Sequence, residues 1–226
     1  MNFLHLDLFT IVARIIVILL ILPLHEFAHA FIAKKFGDYT AESSGRLSLN
    51  PFTHIDPVGA VLLLLTGFGW AKPVPINPNA MRNPRKGIIW TSLAGPISNL
   101  LAALASLIVL RVLYCIPIPA GNIVLYNTLS GIATVFNCFV SVNIGLAVFN
   151  LIPVPPLDGS NVLIQFLPTR AVMWIQRNRM VISIVFLVLI VSPALNIPLS
   201  WAGNKIFHLF YFLTDWIEIL MNAILG

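Results

Sequence analysis

The chain has 226 residues, of which 58% are hydrophobic and only 9% charged, whereas an ordinary soluble domain carries roughly 25% charged residues. Polar groups this scarce cannot cover a water-facing surface, so the main solvent must be lipid, in which every backbone polar group has to be paired within helices or a closed barrel. The net charge of +5 comes from a few residues gathered in the loops between apolar runs, a pattern of membrane orientation that excludes a nucleic-acid-binding surface.

The first apolar run, Leu8 to Leu22, opens a helix expected over about Leu8 to Phe36, with Lys34 and Lys35 in its last turn and Gly37 as its stop signal. Met1 to Thr10 has no Lys or Arg, so the run reads as a retained span and not as a cleavable signal peptide. From Asp38 to Pro57 the chain turns polar and is expected to form a small membrane-associated β-hairpin. Val58 to Trp70 is apolar, but at about 1.5 Å per residue it is too short for a hydrocarbon core of roughly 30 Å. It reads as a re-entrant or partly embedded segment.

A proline-rich loop, Lys72 to Arg85, leads into a full span from Ile88 to Leu113. After a turn at Ile116 to Ala120, a further span runs from about Ile123 to Leu151 and stops at Pro153, Pro155 and Pro156. An interfacial stretch with Arg170, Arg177 and Arg179 precedes two more apolar spans, Met180 to Leu195 and Ile197 to Leu225. The expected fold is an all-α polytopic membrane protein of about five transmembrane helices plus the embedded segment and the hairpin. It forms one domain over residues 1–226, with a core at about 8–160 and accessory carboxy-terminal helices at about 161–226.

Inside the first span, His25, Glu26, Phe27, Ala28 and His29 spell HEFAH, an instance of HExxH. Helical residues four apart lie about 40° apart in projection, so both imidazoles face one point with Glu26 beside it. Two histidines are two of the three protein ligands that a catalytic zinc needs, and the glutamate is then the general base that takes a proton from water. Ionisable residues in a membrane helix are costly unless they have partners, so the cluster is a functional site by default.

A third ligand must come from elsewhere. The other acidic residues are Asp7, Asp38, Glu42, Asp56, Asp158, Asp215 and Glu218. Asp158 stands out in Asn150-Leu-Ile-Pro-Val-Pro-Pro-Leu-Asp158-Gly159, at the end of a long apolar helix, where prolines force an extended path and Gly159 permits close approach to a ligand. Cys115 and Cys138 lack CxxC spacing and read as small apolar membrane residues.

These motifs together resemble the site-2 protease family of intramembrane metalloproteases, whose pattern is HExxH in one membrane helix and a later N-x-x-P-x-P-x-L-D-G segment. Gly95, Pro96 and Asn99 look like that family's G-P-x-x-N element. Asn50-Pro51 through His54-Ile-Asp56-Pro57-Val-Gly59, with Phe68-Gly-Trp-Ala-Lys-Pro73-Val-Pro75, resembles its compact prokaryotic branch. The resemblance runs from about Arg14 to Gly159, and the sequence carries no PDZ-like or CBS-like insertion. It implies that zinc is the cofactor, that Asp158 is the third ligand, and that Asn150 lies near the substrate or the developing oxyanion. Asn99 reads either as a helix-packing hydrogen bonder or as a group acting directly in catalysis. His54 reads either as a surface residue or as one supporting the site from the substrate side. His5 and His208, at span ends, read as interfacial, and the five tryptophans as an aromatic belt.

Geometry adds a topological constraint. For Asp158 to reach His25, the spans carrying them must run in the same direction, with an odd number of crossings between. Ile88 to Leu113 supplies one. Ten basic residues, among them Lys34, Lys35, Arg82, Arg85 and Arg179, then share one side, leaving Arg14, Arg111 and Lys205 toward the other. Positive-inside bias makes the crowded side cytoplasmic in a cell (inner) membrane, with the amino terminus outside.

Two functional classes follow. One is a protease for single-span membrane proteins, in which the hairpin would hold an unwound substrate as an added strand. The alternative is a non-enzymatic metal-binding membrane protein or transporter. An intact Glu26 favours the first, because coordination alone does not need it, and the sequence lacks the repeated halves common in transporters.

Overall fold

The structure, a computed structural model, describes residues 11–12, 15–66, 69–191 and 195–225. His5, Asp7, Arg14 and Phe68, the expected helix start at Leu8 and residues 192–194 of the span expected over Met180 to Leu195 lie outside the described residues.

The first span begins irregularly. Val17–Ile21 winds as a π-helix, closed by the Leu22 amide on the Val17 carbonyl, and α1 (Leu22–Lys35) continues from it. Pro23 explains the irregularity, because it has no N–H and its ring crowds the preceding turn, so the ladder takes up an extra residue there. α1 ends at Gly37, whose φ of 101° lets the Asp38 amide turn back onto the Ala33 carbonyl at 3.0 Å. That left-handed residue is the reason for a glycine at this point.

The expected hairpin is not formed. Asp38 to Pro57 folds as one helical turn, α2 (Thr40–Ser43), and a 3₁₀ turn at Pro51–Thr53 capped by the Asn50 side chain. The only β pairing among the described residues is an isolated bridge between Ile55 and Ala71. Polar side chains account for the difference: the Ser43 and Ser44 hydroxyls donate to the Tyr39 and Thr40 carbonyls, so the backbone is satisfied locally and offers little for a ladder. α3 (Pro57–Thr66) has ten residues, or about 15 Å, and cannot cross a membrane alone.

Two long helices form the centre. α4 (Pro84–Tyr114) starts with Pro84 in its first turn and Asn83 capping the Lys86 amide; α5 (Ile123–Asn150) starts with Asn122 capping Leu125. They pack through Ala103, Leu107 and Leu110 against Ala133, Val140 and Ile144, with Phe207 and Phe210 closing over the seam. Small residues at this contact let the helix backbones approach closely.

After α5 come α6 (Asp158–Ile164), α7 (Thr169–Arg177) and α8 (Arg179–Val191), with α7 and α8 bent by 70° at Asn178. The span expected over Ile197 to Leu225 is broken into α9 (Asn196–Leu213) and α10 (Trp216–Leu225). At the break the Thr214 hydroxyl turns back onto the Phe210 and Tyr211 carbonyls. Among the described residues, three stretches are long and apolar enough to cross a membrane: Val17–Lys35, Pro84–Tyr114 and Ile123–Asn150, or four if the bent pair counts as one. A single such stretch, Pro84–Tyr114, thus lies between the first and the one that leads to Asp158. Trp70, Trp90, Trp174, Trp201 and Trp216 are all exposed.

Candidate active site

The three residues expected to bind metal come together from two distant parts of the chain. His25 and His29 lie one turn apart on α1, both buried, with Nε2 atoms 3.0 Å apart. Asp158 is the first residue of α6, and its Oδ2 lies 3.2 Å from His25 Nε2 and 3.3 Å from His29 Nε2. It is delivered by the proline-broken turn after α5. Gly159 is needed there, because a Cβ would sit 2.3 Å from the Leu151 carbonyl oxygen. The tight approach expected of this glycine is therefore to its own chain and not to a ligand.

This cluster fits a metal. Three electron-rich atoms facing one another at such distances are stable only with protons or a cation among them. Asp158 Oδ2 is buried and has no hydrogen-bond partner. The separations are close to the edge of about 3.3 Å spanned by ligands of a tetrahedral zinc. His29 is already oriented for ligation: its Nδ1 lies 2.7 Å from the Thr91 carbonyl, which only accepts, so Nδ1 carries the proton and Nε2 presents its lone pair.

α4 packs directly against the histidines at Gly95. A Cβ there would stand 2.4 Å from His25 Cε1 and 2.6 Å from His29 Nε2, so only glycine leaves room for the rings. Pro96 and Asn99 follow on the same helix, both buried.

Glu26 sits beside the cluster, and its Oε2 accepts a hydrogen bond of 2.8 Å from the Val74 amide. Val74 lies between Pro73 and Pro75, which have no N–H, so this amide is the one donor of its tripeptide. The Arg46 guanidinium holds the same loop through the Lys72 and Pro73 carbonyls. The sequence marks Pro73 and Pro75 as part of a proline-rich loop, and nothing in it points to Val74, Thr91 or the reason for Gly95. Two of these contacts are made by the backbone and leave no side-chain signature.

Of the other candidates, two make their contacts away from the cluster. Asn150 ends α5 with its Nδ2 folded back on the Leu146 carbonyl at 3.0 Å. His54 is no surface residue: it is 1% exposed, with Nε2 2.7 Å from the Ser48 carbonyl, and braces its own loop. Asn99 is fully buried. A cleft of about 310 Å³ is lined by Thr91, the partner of His29, and by Ser92, Ser160, Asn161, Gln165 and Arg179 among others.

A helix-borne histidine pair with an adjoining glutamate, closed by an aspartate from a distant turn within apolar helices, is the arrangement of a membrane-embedded metallopeptidase. Comparison with known proteins gives the family. Residues 120–192 match the model of peptidase family M50. YwhC of Bacillus subtilis, provisionally named a zinc metalloprotease, is 37% identical over 192 residues, covering 85% of this chain and 86% of its own. Rip2 of Mycolicibacterium smegmatis, named in the same way, is 32% identical over 200 residues, covering 86% of this chain and 71% of its own. No solved structure matches. The chain belongs to peptidase family M50, the site-2 proteases, and is a zinc-dependent intramembrane metallopeptidase.

Proposed function

We propose that this protein hydrolyses peptide bonds of single-span membrane proteins, with His25, His29 and Asp158 holding one zinc ion and Glu26 serving as general base. The observation that carries this reading is the three-donor cluster with an orphaned carboxylate oxygen and Glu26 on the adjoining helix position. When bound, zinc supplies a Lewis acid that acidifies water and polarises a carbonyl. The Val74 amide fixes one oxygen of Glu26, which leaves Oε1 to take a proton from the attacking water and pass it to the leaving amine. Asn150, at the mouth of the turn, offers its amide to the substrate once it lets go of its own helix.

The reading extends to topology. At least three crossings are proposed, by α1, α4 and α5, with Val58 to Trp70 re-entrant or partly embedded, the amino terminus outside and the site in the cytoplasmic half of a cell membrane. Lys34 and Lys35 mark the membrane exit of α1, and His25 lies roughly 14 Å inside it by helix rise. Residues 1–226 act as one domain, with the carboxy-terminal helices accessory to the core. A metal carrier would have no use for a glutamate braced beside the ligands.

The decisive experiment is Glu26→Gln in the purified full chain. Zinc content should stay at one per chain while cleavage of a single-span substrate falls by roughly 10²- to 10⁴-fold. Undiminished cleavage, or zinc lost together with activity, would remove Glu26 from the role given to it.

A further inference from the structure

Besides the Asp158 oxygen, five buried polar atoms on the helices at the site have no hydrogen-bond partner: His25 Nδ1, Thr91 Oγ1, both amide atoms of Asn99, and Asn143 Oδ1. Asn99 and Asn143 are 0% exposed. An unpaired polar group buried among apolar helices is costly, so five of them on three packed helices require an explanation.

Their positions are related. α1 and α4 run antiparallel, with His29 against Thr91 and His25 against Gly95. Asn99 is one turn beyond Gly95, level with the turn that precedes His25. Helical side chains lean toward their own N-terminus. The His25 ring therefore leans over that preceding turn, and Asn99 leans back toward Gly95, so the two converge. On the other flank, Asn99 lies one turn from Ala103 and Asn143 lies next to Ile144, both members of the seam between α4 and α5.

The donors and acceptors balance. A histidine that offers Nε2 to a metal carries its proton on Nδ1, and such a proton is normally received by a carboxylate, carbonyl or water. The Thr91 carbonyl receives it from His29; no such acceptor is paired with His25. We infer that Asn99 is the positioning residue for His25 once zinc is bound: its Oδ1 turns to accept the Nδ1 proton while its Nδ2 turns to donate to Asn143 Oδ1, two bonds that this structure leaves unmade. Asn143 Nδ2 already donates to the Phe139 carbonyl at 2.8 Å, so the chain of amides ends on backbone and the orphans of His25, Asn99 and Asn143 are satisfied. Asn99 thereby couples the ligand helix α1 to α5, the helix whose end delivers Asp158.

The inference rests on the proposed ligand role of His25, and the test separates the two. Zinc affinity of the full chain in lipid nanodiscs is measured by chelator competition for the wild type, His25→Ala, Asn99→Leu and Asn99→Asp. Asn99→Leu, which fills the same space without an acceptor, should bind zinc 10- to 100-fold more weakly. Asn99→Asp keeps the acceptor and should bind close to wild-type strength. If Asn99→Leu binds as tightly as the wild type while His25→Ala does not, the positioning role is wrong and the ligand reading stands. If His25→Ala binds like the wild type, both fail. A measurement on the unmutated protein guards against a misfolded variant: ¹⁵N-histidine NMR of the zinc-loaded chain should find a His25 Nδ1 proton protected from solvent exchange. A freely exchanging proton overturns the inference.

Discussion

At the scale of single residues, the site depends on what is left out as much as on what is present. Gly95 is the clearest case, since a single methyl group would occupy the space of both imidazole edges. Gly95→Ala is expected to lower zinc occupancy at least tenfold with little loss of helix, as read by metal analysis and circular dichroism; unchanged occupancy would mean that the rings can move aside. HEFAH and the Asp158 segment were legible because their chemistry lies in side chains at telling intervals. Val74 and Thr91 were not, because each acts through its backbone. His54 misled for a related reason: a polar residue in a polar stretch looks exposed, but its acceptor, the Ser48 carbonyl, is visible only once the loop is folded.

At the scale of elements, two clamps hold the structure around the site. Asp38, just past the end of α1, accepts from the Thr40 amide at 2.9 Å and the Asn77 amide at 2.6 Å, tying α2 to the loop that carries Val74. Burial opposes ionisation of Asp38, but the Thr40 side chain and the Asn77 and Thr40 amides outweigh it and hold its pKa below the ordinary carboxylate value. The folded pKa is the lower one, so this stabilisation is complete above the unfolded value of about 4 and is lost as pH falls through the folded value. The thermal midpoint should hold from neutral pH to about 4 and drop below it. Asp38→Asn should flatten that acid limb and cost about 1–3 kcal/mol at neutral pH. A parallel acid limb in the variant would assign the transition to another group.

The second clamp is at the opposite end of α4. Arg111, 2% exposed, donates to Asp215 and Glu218 and to the Tyr211 carbonyl, and its guanidinium lies 3.5 Å from the centre of the Tyr211 ring. It holds the α9–α10 break in place, which makes the interruption of the expected last span a docking feature. Arg111→Leu should destabilise the carboxy-terminal helices by about 1–3 kcal/mol, because both carboxylates are half-exposed and can rehydrate. Limited proteolysis should then cut near Thr214. Zinc content should not change, since Arg111 is about 30 Å along α4 from Thr91; metal loss would show that the two ends of α4 are coupled.

At the scale of the whole molecule, the same-direction rule for α1 and α5 and the clustering of basic residues make one orientation. In a background without Cys115 and Cys138, a cysteine at Lys86 should react with an impermeant maleimide only from the cytoplasm, and one at Ala120 only from outside. The reverse pattern would turn the proposed topology over. Composition, the HEFAH and Asn150–Asp158 segments, and span lengths by themselves determined the membrane class, the chemistry and the direction of the helices that bring them together, because those depend on residue type and interval along the chain. Only the tertiary structure decided that the polar stretch after α1 forms turns instead of a hairpin, that Pro73 and Pro75 frame an amide on Glu26, and that Gly95 makes room for the His25 and His29 rings. Those outcomes depend on which backbone groups find partners across the bundle, and linear order does not contain that pairing.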